Sequence, residues 1–307
     1  LGPTIIYDSP YQTLSAFAGN PNLISLDKLA EAGWLEAHDL ADVPSFPEHT
    51  VPFGEVIPYH EQKLDLAFTR FKQRADATTK AAFEDWCARN GAWLYDFALF
   101  ATLKAQHGGV EWVKWSREAA QPSPARRVAL REQYRDQVEN HMFRQWLFYT
   151  QWAALKAYAN GKGVQFIGDL PIFVSHDSAD VWANPHLFEL DPNTGQATVV
   201  AGVPPDFFNP EDGQLWGNPH YNWQAMEEEG YAWWIARLRT TLETVDRVRI
   251  DHFRGFEAYW EIPAHEQTAK NGRWVKGPDA KLFEAFEAAL GKLPIIAEDL
   301  GIITPEV

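Results

Sequence analysis

The sequence predicts an α/β chain organised on a parallel β-sheet, and three observations point to it. Amphipathic helical stretches alternate with short apolar runs, and each run follows a turn or stop signal. A carboxylate stands at the C-terminal end of each run: Asp169 in VQFIGDLPIF (164–173), Asp251 in RVRID (247–251), and Glu298 with Asp299 in LPIIAED (293–299). Helices alternating with buried strands imply parallel pairing with helices covering the faces. In a β/α barrel and in an open doubly wound sheet alike, sites gather at the C-terminal ends of the strands. The three carboxylates would therefore converge on one cleft although about 130 residues separate the first from the last. The pattern alone does not choose between the two topologies.

The elements follow in order. Residues 1–60 are rich in Pro, Gly and Asn (SPYQ at 9–12, AGNP at 18–21, VPFGEVIP at 51–58) and read as loops around one helix near 26–32. Helical periodicity takes over at 61–102 with an interruption at Asn90-Gly91, and Trp86, Trp93, Phe97 and Phe100 fall on core-facing positions. After QPSP at 121–124, one long amphipathic helix is expected over 125–159, stopped by Asn160-Gly161. Beyond the first strand lies an insertion. LDPNTGQ within it reads as a hairpin turn, and the rest as a long loop rich in Pro, Gly and Trp. Loops of that length are usually functional or disordered, and the aromatics between Phe207 and Tyr221 argue against disorder. A helix over 226–245, the strand 247–251, a helix over 279–290 closed by Gly291, and the strand 293–299 complete the pattern.

Composition narrows the function. A length of 307 residues suits two domains or one large barrel with insertions. With 46% apolar and 22% charged residues the chain is neither disordered nor fibrous in type. A net charge of -15 argues against nucleic acid, which needs clustered Lys and Arg. No apolar run is long enough for a membrane span. Cys87 is the single cysteine, which excludes an internal disulfide and a Cys-based zinc cluster, and LGPT shows no signal-peptide pattern; both fit a cytoplasmic protein. The 14 Trp, 19 Phe and 10 Tyr mostly serve a core, but their excess suits a cleft for a ligand with flat apolar faces, such as a sugar chain.

The residues at the strand ends suggest a chemistry. Arg249 and Asp251 are two apart on a strand and share a face. A neighbouring guanidinium favours the ionised carboxylate that a nucleophile requires; an ordinary ion pair is the alternative. His252, one residue on, is placed to donate to a substrate hydroxyl. Glu298 and Asp299 are adjacent, so only one faces the cleft. A Glu leaving an apolar strand near another carboxylate has two reasons to hold a proton near neutral pH, desolvation and like-charge repulsion. For Asp299 a helix-capping or ion-pair role fits as well. One ionised and one protonated carboxylate are the minimum for retaining glycoside chemistry, in which the pair stands about 5–5.5 Å apart. There is no G-x-S-x-G, Walker A, post-strand G-x-G-x-x-G or H-E-x-x-H motif, and no cofactor is expected. His176, Asp177 and Asp180 resemble a metal-ligand set but read better as a solvated loop, so no metal is expected either.

Five strings carry a family resemblance: SPYQTLSAFAGNPNLISL, GDLPIFVSHDSADVW, VAGVPPDFFNPEDGQLWGNPHYNW, RIDHFRGFEAYWEIP and IIAEDLGIITPEV. They resemble, in family order and over nearly the whole chain, the 4-α-glucanotransferases called amylomaltases or disproportionating enzymes, glycoside hydrolase family 77 of the α-amylase clan. The resemblance implies a (β/α)8 TIM barrel with helical and loop insertions, here an incomplete fragment. Residues 1–42 would be an N-terminal barrel segment without its first strand, and 43–160 a largely helical insertion. Residues 161–307 would carry the central barrel strands, with 176–224 covering the cleft. It implies Asp251 as nucleophile and Glu298 as acid/base. Arg249, His252 and Asp169 would serve the donor site, Ser9 and Tyr11 the cleft lining, and Asp206, Phe208, Gln214 and Trp216 the covering loop. The implied partners are α-1,4-glucans and maltooligosaccharides. The family's third catalytic aspartate would lie in a His-Asp block that does not occur before Val307, so these residues alone are expected to be unstable and crippled in catalysis. A clan hydrolase and a non-catalytic carbohydrate-binding homologue are the alternatives.

Overall fold

The protein is described by a computed structural model covering residues 2, 3, 9, 11–207, 209–300, 304 and 307. It divides into two compact units. The first comprises Leu1–Leu14, Ala18–Val110 and Arg117–Leu155, and the second Ser15–Phe17, Glu111–Ser116 and Lys156–Val307.

The first unit is helical: α1 (Leu26–Glu31), α2 (Phe53–Arg74), α3 (Ala77–Arg89), α4 (Gly91–Gln106), α5 (Arg117–Ala120), α6 (Pro124–Gln133) and most of α7 (Arg135–Gly161). Side-chain caps set several starts. Ser25 accepts from the Lys28 amide, Asp76 from Thr79 and Ser123 from Arg126, each satisfying an amide the first turn leaves orphaned. The VPFGEVIP segment, expected as loop, begins α2 instead, because Pro58 sits early in a 22-residue helix and removes a single bond there. The single helix expected over 125–159 is divided at Tyr134, since its two parts serve different neighbours. Arg127 of α6 pairs with Asp96 of α4 at 3.3 Å, whereas Phe143 of α7 packs on Phe71 of α2 at 4.7 Å between ring centroids. Phe97 and Phe100 are buried, and Trp86 and Trp93 pack half-buried against the core around Phe71, Phe83 and Phe143.

The second unit holds the strands: β1 (Ile167–Pro171), β2 (Val199–Val203), β3 (Gln214–Pro219), β4 (Arg247–Asp251), β5 (Ala258–Pro263), β6 (Arg273–Lys276) and β7 (Ile295–Ala297). Its helices are α8 (Ala179–Ala183), α9 (Trp223–Glu228), α10 (Ala232–Thr244) and α11 (Ala280–Leu290). Strands β1, β4 and β7 form a parallel sheet in that order, as the alternating pattern predicts. Val248 and Ile250 of β4 are fully buried, as are Trp234 and Leu238 of α10 and Leu282 and Phe286 of α11. Each such apolar side chain contributes about 1.5–3 kcal/mol.

Three expectations need correction. The helix over 226–245 is two helices, because Gly230 (φ 61°) and Tyr231 (φ 56°) both leave the right-handed region. The long loop after the hairpin turn at 190–197 is largely ordered. It supplies β2 and β3 of a second, antiparallel sheet in the order β3-β2-β5-β6. Its strands are short and carry Gly202, Gly217 and Pro219, which mask an alternating pattern. Asp169 stands inside β1 rather than at its end, paired in register with Arg249.

Candidate active site

Parallel register places the site. Pro171 is opposite Asp251 on β1 and β4, and Ile250 is opposite Ala297 on β4 and β7. Asp251 therefore closes the central strand, and Glu298 follows the neighbouring one by a single residue, its amide donating to the Ile250 carbonyl at 3.2 Å. Both carboxylates line one cleft of about 300 Å³, with Val203, Pro204, Asp206, Gln214, Trp216, His252, Arg254, Trp274 and Leu300. Asp299 is not among the residues that line this cleft.

Arg249 ties the two aspartates together. Its Nη1 donates to Asp169 Oδ1 at 2.5 Å and its Nη2 to Asp251 Oδ1 at 2.7 Å. The spacing of two along β4 brings Arg249 and Asp251 to one face, and the parallel register adds Asp169. These bonds, led by that to Asp169, raise the guanidinium pKa, so the group stays a cation.

His252 has φ 56° and ψ 46°. This left-handed conformation is uncommon for a residue with a Cβ and occurs at sites where the surroundings enforce it. Here its amide donates to Glu298 Oε2 at 3.0 Å. The Leu300 amide donates to Glu298 Oε1, so two main-chain donors fix the acid group. The His252 ring meets Trp216 edge-on at 4.9 Å. Its Nε2 is buried and makes no hydrogen bond among the described residues. Burial, helped by the Arg254 charge, pushes its pKa down to about 4, so the ring is neutral at pH 7.

Residues Val203, Pro204, Asp206, Gln214 and Trp216 of the segment after β1 also line the cleft. Gln214 and Trp216 are on β3, and the Trp216 indole donates to Gln214 Oε1 at 3.2 Å. Asp206 lines the cleft while its Oδ1 accepts from the Asn209 amide at 2.9 Å, folding the segment back on itself. Phe208 lies outside the described residues. Ser9 and Tyr11 belong to the first unit, where Ser9 Oγ accepts from the Tyr11 amide at 3.3 Å.

Sequence reasoning gave no role to Arg254 or Trp274, although both line the cleft. Arg254 stands inside RIDHFRG, so position was the available signal; Trp274 lies on a strand no pattern announced. Arg237 was missed as well. This buried guanidinium donates to the carbonyls of Pro171 (2.6 Å) and Ile172 (3.1 Å), fixing the end of β1 opposite Asp251.

The segment after β1 is packed rather than solvated. Asp177 accepts from the Trp112 amide, Asp180 from the Ala16 amide, and His176 Nε2 meets the Gly195 carbonyl at 2.8 Å. Among the described residues no group of three or more His, Cys, Asp or Glu is arranged to hold a metal ion. Nor is any described helix long and apolar enough to cross a membrane.

Comparison with known proteins shows the family. The family model for glycoside hydrolase family 77, described as 4-α-glucanotransferase, matches residues 1–307. A 4-α-glucanotransferase of Thermus thermophilus is 51% identical over all of this chain and 60% of its own length. One from Synechocystis is 47% identical over all of this chain and 61% of its own. The amylomaltase of Streptococcus agalactiae, solved in complex with acarbose, superposes with a TM-score of 0.93 at 38% identity, covering 99% of this chain and 61% of that one. The present chain thus spans about 60% of the length of these relatives. The three parallel strands among the described residues fit a part of a TIM barrel, the fold of that amylomaltase family. With its whole length matched, the chain belongs to the 4-α-glucanotransferases of glycoside hydrolase family 77.

Proposed function

We propose that the whole protein transfers a segment of an α-1,4-glucan to the 4-OH of another glucan or of glucose, with retention of configuration. The observation that carries this reading is that Asp251 and Glu298, at the ends of adjacent parallel strands, line the same cleft. Asp251 attacks the anomeric carbon while Glu298 gives its proton to the departing glycosidic oxygen, leaving a β-linked glucosyl ester on Asp251. The 4-OH of the acceptor then attacks that carbon, its proton passes to Glu298, and the carboxylate of Asp251 departs. Arg249 holds Asp251 on the attacking side. Neutral His252 offers its unpartnered Nε2 to a sugar hydroxyl, and Asp169 completes the donor end of the cleft.

Transfer rather than hydrolysis is assigned to the aromatic loop from Pro204 to Trp223, with Asp206, Phe208, Gln214 and Trp216 as its sugar-binding residues. An acceptor sugar stacked there gains effective concentration at the reacting carbon and keeps water from it. Ser9 and Tyr11 are assigned to sugar binding by the family resemblance. The 176–224 segment is assigned as cleft cover between the barrel strands of 161–307, with 43–160 as the helical insertion. A cytoplasmic location is assigned to the protein on Cys87, free and buried, which suits a reducing compartment; two plant relatives are named as chloroplastic or amyloplastic. The acarbose bound by the Streptococcus agalactiae amylomaltase supports an α-glucan ligand here.

Supplying the protein with maltotriose tests the reading. Glucose and longer maltooligosaccharides should appear together, and Asp251→Asn should abolish both while maltodextrin binding survives. Glucose and maltose alone would identify a hydrolase of the same clan. Binding by the unmodified protein with no turnover would identify a carbohydrate-binding homologue.

A further inference from the structure

Trp274 lies on β6, in the hairpin that β5 and β6 form beside the cleft, and is 42% exposed while lining it. A single exposed aromatic is ordinary. This one is unusual in how firmly it is held. The Arg254 guanidinium lies over the indole at 4.1 Å from the ring centroid, and Arg254 itself is 8% exposed. Trp260, opposite Trp274 in the strand register, meets it edge-on at 5.3 Å, and the Trp260 indole is anchored by donating to the Ala269 carbonyl at 2.8 Å.

Arg254 is closer to this ring than a loose ion pair alone would hold it. Its ion-pair partner Glu257 is 3.8 Å away and also pairs with Lys276, and its Nε is buried without a hydrogen bond among the described residues. A desolvated guanidinium over an indole binds it firmly. The exposed part of Trp274 is then the side that Arg254 and Trp260 leave uncovered: a flat, apolar, immobilised surface in a cleft that also holds two carboxylates. A neutral ligand with an apolar ring face and polar edges fits such a wall, and a pyranose has that shape.

We propose that Trp274 is a glucose-stacking platform that sets the affinity of the cleft for α-glucan chains, with Arg254 as the positioning residue beneath it. This rests on the α-glucan reading above and adds a specificity-determining residue to it.

Binding of maltoheptaose is measured by calorimetry on the Asp251→Asn protein, in which turnover does not interfere. Adding Trp274→Ala should weaken binding by about tenfold or more, the loss expected for one well-packed aromatic contact. Trp274→Phe, which keeps a flat ring, should restore most of it. Trp274→Leu keeps apolar bulk against Arg254 without a flat face, so it should bind as poorly as Ala and also serves where Ala fails to fold. Leu or Ala binding within about twofold of the parent, with thermal midpoints unchanged, would overturn the proposal; the twofold margin is well under the loss of one aromatic contact. Absence of maltoheptaose binding by Asp251→Asn itself would instead overturn the α-glucan reading, so the two failures are distinguishable.

Discussion

Arg249→Lys keeps the positive charge of the site and removes its fork. In the structure the two ends of one planar guanidinium reach two carboxylates, at 2.5 Å to Asp169 and 2.7 Å to Asp251. A lysine ammonium is a single point of charge and does not reproduce that two-ended geometry. It must divide itself between the aspartates or settle on one. Charge-assisted hydrogen bonds contribute about 1.5–3 kcal/mol. With the Arg249 side chain 33% exposed, the low end applies. Losing the bond that orients Asp251 therefore removes about 1.5 kcal/mol, or roughly tenfold in rate. The assay is disproportionation of maltotriose, with kcat and KM separated. kcat should fall by about ten- to thirtyfold with KM nearly unchanged. In an Asp169→Asn background the same substitution should cost less, because the lysine no longer has a second carboxylate to serve. Arg249→Lys within twofold of the parent, or an equal loss in both backgrounds, would refute the reasoning.

Three further predictions concern what holds the site. His252 has its pKa pushed down to about 4, first by burial and then by Arg254, against about 6.5 in an unfolded chain. The unfolded state thus takes up the proton first as pH falls, and stability drains between about pH 6.5 and 4, by up to about 3 kcal/mol. Urea midpoints of His252→Gln should fall less over that window than those of the parent; parallel curves would contradict this. Burial pushes the Asp180 carboxyl up to about 6 despite the bond from the Ala16 amide. Its contribution is therefore full at low pH and lost as pH rises from about 3.8 to 6. Asp180→Asn retains an acceptor for Ala16, so it should be more stable than the parent at pH 7, by about 1–3 kcal/mol, with the gain vanishing near pH 4; a loss at pH 7 would contradict this. Arg237→Met strips donors from the Pro171 and Ile172 carbonyls and the Tyr221 hydroxyl. It should cost about 3 kcal/mol or more in urea unfolding, and a cost below about 1 kcal/mol would mean that water replaces the guanidinium.

The legible part of the chain was the part governed by short-range rules. Apolar runs gave β1, β4 and β7, because strands paired in parallel carry a high share of apolar side chains, of which Leu170, Val248 and Ile250 are buried here. The two-residue spacing gave the Arg249–Asp251 pair, because side chains on a strand alternate. The remainder depended on contacts distant in sequence. Strand β2 is defined by pairing with β5, about 60 residues away, and β3 by pairing with β2, and no local alternation announces either. The kink at Tyr134 arises from two partner helices rather than from a Gly or Pro. The placement of Glu298 by the amides of His252 and Leu300 required the left-handed turn at His252, which nothing in the residue type demands. Trp274 was invisible because its strand was, and Arg254 because its stacking partner was unknown.

The central claim is that Asp251 and Glu298 act on one sugar from opposite sides of a single bond. The most direct measurement uses the Glu298→Gln protein with α-maltosyl fluoride, whose leaving group needs no acid. Mass spectrometry of the intact protein should show one added maltosyl unit, and peptide mapping should place it on Asp251. A label on any other residue, or none while fluoride is still released in a burst, would contradict the account.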